Sequence, residues 1–129
     1  MQISPEMSDF LFRFDHFNDS VIETISVDYG SDQPLPRIRI VLTCQDDLAD
    51  EPTWRRCVLD FRNVREFRIG QDMNRSSCVT SFGVAVTMDA GLTYVDFNCL
   101  GDTERKIDEV RSSGFFVGAE TVEFGTLEN

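Results

Sequence analysis

The sequence predicts an α+β domain, mainly antiparallel β, with about seven or eight strands in one curved sheet or a two-layer arrangement and one C-terminal helix. Three observations predict it. Short runs rich in β-branched and aromatic residues alternate apolar with polar positions. Turn residues separate those runs at Asn18-Asp19-Ser20, Gly30-Ser31-Asp32, Gln45 to Pro52, Asp89-Ala90-Gly91 and Gly101-Asp102. A single stretch, 102–113, combines helical spacing with helix-end residues. With 129 residues, 41% of them hydrophobic, the chain reads as one domain able to bury a core without staples.

The elements follow in order. In the N-terminal segment 1–14, Ser4-Pro5-Glu6 has the form of a cap and first-turn proline, which favours a short helix. Phe10 to Phe14 reads equally as a strand or an apolar plug. Antiparallel strands fill 15–100. Val21 to Tyr29 places Val21, Ile25, Val27 and Tyr29 on one face, with Glu23 interrupting it. Arg37 to Cys44 turns Ile38, Ile40, Leu42 and Cys44 inward. Cys57, Leu59 and Phe61 alternate next, then a break at Arg62-Asn63 precedes a strand over Val64 to Ile69. Cys78 to Met88 is the longest strand expected, with Phe82, Val84, Val86 and Met88 facing in. Val95, Phe97 and Cys99 alternate with Tyr94, Asp96 and Asn98. The helix spans 102–113, capped by Asp102 or Thr103 and stopped at Gly114. Two short strands close 115–124.

Composition narrows the function. The formal charge is −11 and the isoelectric point about 4.3. Such a surface repels phosphates and anionic lipid, so direct nucleic-acid or membrane binding is not expected, and it attracts basic partners. The charge is uneven: residues 52–75 hold 6 arginines against 3 acids, while both flanks are acidic. Those arginines are expected on outer strand faces, paired with acids. Cys44, Cys57, Cys78 and Cys99 form no CxxC pair and each lies in or beside an apolar run, so buried free thiols in a reducing cytoplasm are expected. No basic segment leads an apolar run at the N-terminus, and nothing approaches a membrane span.

No catalytic, metal or cofactor site is expected. His16 is the sole histidine and stands without a nucleophile beside it in sequence. The neighbouring carboxylates Asp46-Asp47, Asp50-Glu51 and Asp108-Glu109 lack both a cleft arrangement and calcium-loop spacing. Gly114 and Gly118 match no phosphate-cradling motif.

The chain resembles small immunity proteins of bacterial polymorphic-toxin and type VI secretion systems. The resemblance lies in Phe17-Asn18-Asp19-Ser20-Val21-Ile22, in Leu59-Asp60-Phe61-Arg62-Asn63-Val64 with Phe67-Arg68-Ile69, and in an acidic helix leading to Ser112-Ser113-Gly114-Phe115-Phe116-Val117. These are structural positions, so no functional residue transfers. The resemblance implies a protein that binds one cognate toxin and blocks it. From the residues themselves, the acidic loop Asp46, Asp47, Asp50 and Glu51 is the expected partner-binding site, with Trp54 as its apolar anchor and a cognate toxin or other basic protein as the partner. The alternatives are a small ligand-binding or enzymatic β-barrel-like domain and a structural homo-oligomeric subunit.

Overall fold

A computed structural model describes residues 5–30, 34–46, 51, 53–70, 79–80, 83–98 and 105–127. It is mainly antiparallel β, with one open sheet and two short helices. The elements are α1 (Pro5–Arg13), a single tight turn (Asp15–Phe17), β1 (Ser20–Asp28), β2 (Arg37–Gln45), β3 (Trp54–Ile69), the two-residue β4 (Val79–Thr80), β5 (Ala85–Asp89), β6 (Leu92–Asp96), α2 (Ile107–Arg111) and β7 (Phe115–Leu127). The order across the sheet is β4-β1-β2-β3-β7-β6-β5. Among the described residues β4 and β5 do not pair, so the sheet forms no barrel.

The N-terminal alternative resolves as a helix. Proline in the first turn lacks only a donor that would have no partner there, and Glu6 and Arg13 oppose the helix dipole. Met7, Leu11 and Phe14 recur at helical spacing and are buried. Phe10 packs 4.9 Å from the Phe14 ring and 4.8 Å from Phe124, so α1 covers one face of the sheet.

α1 ends in a left-handed turn. Asp15, His16 and Phe17 all have positive φ, near 52° to 61°. Consecutive left-handed L-residues are costly and need outside support. Val84 N donates to His16 O at 2.8 Å, Thr80 Oγ1 donates to Phe17 O, and Phe17 is fully buried. Gly83, at φ +75°, lies so close to His16 O that a side chain would not fit there.

The strands correct several expectations. Residue 23 is a bulge, marked by a register shift between Ile22 and Thr24. The extra residue moves Val21 to the outer face and Ile22 to the core, which simple alternation reversed. There is no break at Arg62-Asn63: β3 runs 16 residues, and Asn63 takes φ 54° without leaving the ladder. A second bulge falls between Val64 and Glu66. The two expected terminal strands are one 13-residue strand, β7, which carries Gly118 in its interior. The long strand expected over Cys78 to Met88 is divided, because Gly83 turns the chain between β4 and β5. Ala90 and Gly91, both at positive φ, close the β5–β6 hairpin as its turn residues promised.

The C-terminal helix is shorter than 102–113. α2 begins after Lys106, whose backbone is extended and whose N–H is accepted by Glu109 Oε1. Asp102 and Thr103 lie outside the described residues. α2 covers the opposite face of the sheet at β6 and β7, where Tyr94, Val110 and Phe116 form a second small core. Tyr94, Val95, Asp96 and Phe97 are consequently all buried, and alternation fails there.

Candidate functional site

β2 and β3 pair from Ile38–Phe61 to Gln45–Trp54. Inward residues Ile38, Ile40, Leu42, Cys44, Cys57, Leu59 and Phe61 are almost wholly buried. The opposite parity, starting at Trp54, belongs to the outer face. Next along that face, about 7 Å away for a two-residue step, runs the row Val21–Thr43–Arg56–Leu127. The bulged Glu23 lies over this row, accepting from Thr43 Oγ1 and Arg56 Nε, both at 2.8 Å. Those two bonds lower the Glu23 pKa, Thr43 contributing most.

The expected site residues separate in the structure. Trp54 stands on this outer face, 55% exposed. Glu51 is exposed, and its carbonyl accepts from Thr53 Oγ1. Asp47 and Asp50 lie outside the described residues. Asp46 is not a surface carboxylate: its side chain is 2% exposed and is held by Arg13 on α1 and Arg55 on β3. Arg13 Nε and Nη2 reach its two oxygens at 3.0 and 2.8 Å, and Arg55 Nε donates at 2.7 Å. Asp46 fastens the helix to the β2–β3 hairpin, so it is a positioning residue of that end.

The arginines of β3 are committed inside the fold. Arg56 holds Glu23, Arg62 lies between Asp60 and Glu123, Arg65 holds Glu120, and Arg68 donates to the carbonyls of Arg111 and Ser113. Asp60, beside Arg37, is held below the ordinary carboxylate range by that guanidinium. The arginines of β3 thus contribute ion pairs across the sheet.

Two other groups looked chemically capable. Cys44 and Cys57 are free and buried on the inner face. A thiol–thiol hydrogen bond and burial push the Cys57 pKa up, which keeps it protonated and inert. Cys78 and Cys99 lie outside the described residues. Asp96, wholly buried, accepts from Arg105, Ser113 Oγ and Asn98 N, and so joins β6 to the entry of α2 and β7. Among the described residues no three His, Cys, Asp or Glu side chains converge as metal ligands. Among them also, no helix is long and apolar enough to cross a membrane.

Sequence reading missed the outward face of Val21 and the exposure of Phe12. The signal for Val21 was Glu23 itself: a charge on an otherwise apolar face is where a bulge restores register. No protein-family model, curated protein or solved structure matches the chain.

Proposed function

We propose that this chain is a non-enzymatic cytoplasmic binding protein that inhibits a basic effector or toxin, in the manner of the immunity proteins its sequence resembles. One observation carries the reading. The only tryptophan is 55% exposed on a paired strand, one two-residue step along β3 from the row Val21–Thr43–Arg56–Leu127. Large aromatics fixed on rigid strands lose little entropy on binding and supply most of an interface's energy. The hairpin that presents Trp54 is fastened from behind by Asp46, so the strand beneath the ring is set before a partner arrives. The chain's charge of −11 supplies long-range attraction for a basic target, with Glu51, Asp47 and Asp50 as rim contacts.

The test starts from the full tagged chain in the cells that produce it. At low salt it should recover one strongly basic protein, which arrests growth when expressed alone. Co-expression of the chain should relieve that arrest, and Trp54→Ala should weaken binding by at least about tenfold, the loss of a modest hot spot. Recovery of nothing, or of copies of itself alone, would overturn the reading.

A further inference from the structure

We propose that α1 forms a second contact surface, centred on Phe12, for a cationic protein surface whose apolar pocket is rimmed by lysine and arginine. The proposal rests on the binding-protein reading and adds a face to it. Phe12 is 71% exposed, the highest value among the exposed large hydrophobics. The helix does not need it for folding, because Met7, Leu11 and Phe14 already fill its buried stripe and Phe10 completes it. α1 packs on the inner face of the sheet, so Phe12 and the outward Trp54 belong to different sides of the molecule.

Charge identifies the occupant. Seven carboxylates on or beside the sheet, Glu23, Asp46, Asp60, Glu66, Asp96, Glu120 and Glu123, each hold an arginine. Among the described residues the carboxylates of the N-terminal layer hold none. Glu6 and Asp9 on α1, and Asp15 and Asp19 just beyond it, are all exposed and meet no cation among the described residues. Arg13, the layer's one arginine, is committed to Asp46. These exposed carboxylates add to the chain's charge of −11 on the layer that carries Phe12, with Ser8 and Asp9 as the ring's neighbours one helical turn back. A second copy of the chain would set carboxylates against carboxylates, and nucleic acid or anionic lipid would be repelled likewise. A basic protein satisfies both features: its cations meet the exposed carboxylates of this layer, and its apolar pocket takes the ring.

The test places a photo-crosslinking residue at position 12, and in a separate variant at position 54, in the full chain within the producing cells. The captured protein is identified by mass spectrometry, purified, and titrated against the wild type, Phe12→Ala, Phe12→Leu and the double variant Asp9→Asn/Asp15→Asn. Position 12 should capture a strongly basic protein. Phe12→Ala should then weaken its binding about tenfold at an unchanged melting temperature, and Phe12→Leu should restore most of it. The double variant should slow association and flatten its dependence on salt. Capture from position 54 but not 12, or a Kd within about twofold of wild type for Phe12→Ala, overturns this surface and leaves the binding reading standing. Capture of no basic protein from either position overturns both.

Discussion

Replacing Asp46 by alanine separates a structural clamp from a contact residue. The buried carboxylate accepts three guanidinium hydrogen bonds, two from Arg13 and one from Arg55. Bonds to charged groups each contribute roughly 1.5–3 kcal/mol where the partner is left stranded. Here the stranded partners are not deeply buried: the two arginine side chains are 36% and 46% exposed and regain water when released. Alanine also removes the desolvation cost of the carboxylate itself. The net loss is therefore about 2–3 kcal/mol, below the simple sum of the bonds. For a domain of this size that lowers the melting temperature by roughly 6–12 °C. A thermal melt followed by circular dichroism at neutral pH reads it directly. A fall of less than about 2 °C, with partner binding lost, would refute the clamp and return Asp46 to the contact surface.

Two further outcomes follow from packing and charge. Gly118→Ala puts a methyl group into the ring of Tyr94, which is fully buried and bonded to Glu66 at 3.0 Å. Overpacking of a ring that cannot retreat should cost about 1–3 kcal/mol, read as a lower denaturant midpoint, and an unchanged midpoint would show that the ring yields. In acid, Arg37 holds the Asp60 pKa below its ordinary 3.8, and Arg111, with Tyr94, holds Glu66 below 4.5. With depressed folded-state values the unfolded chain binds more protons in acid, so this stabilisation is complete above the ordinary values and is lost as the pH falls through the lowered ones. These pairs should add no pH dependence above about pH 5 and should cost stability below about pH 4. A melting temperature unchanged down to about pH 3 would refute their contribution.

Much of the sheet was legible because one-sided burial writes itself as alternation. Ile38, Ile40, Leu42 and Cys44 read inward from the sequence and are wholly buried. Alternation misled wherever a local device altered the count. The bulge at Glu23 inverted Val21 and Ile22, and α2 buried both parities of β6. The break expected at Arg62-Asn63 rested on local residue type, and the ladder between β3 and β7 outweighed it. Asp46 was indistinguishable in sequence from the acids beside it, because its burial depends on Arg13, 33 residues away. Trp54 was legible as a candidate by residue type, while its outward face follows from register, which only the paired strands reveal.

The sheet order has a consequence for biosynthesis. β7, made after the other six described strands, lies between β3 and β6. Until it emerges, β1, β2 and β3 can form a meander whose outer strand offers 16 residues of unpaired backbone to any neighbouring chain. Five of those residues are arginines: Arg55, Arg56, Arg62, Arg65 and Arg68. Like-charged strands from two nascent chains repel before their backbones can pair. Arg55, Arg56 and Arg62 find Asp46, Glu23 and Asp60 within that meander, whereas Arg65 and Arg68 meet Glu120 and the end of α2 only when β7 and α2 are in place. Arg65 and Arg68 thus stay uncommitted on the unfinished edge, where their charge disfavours pairing with another nascent strand, and then join it to β7 and the end of α2.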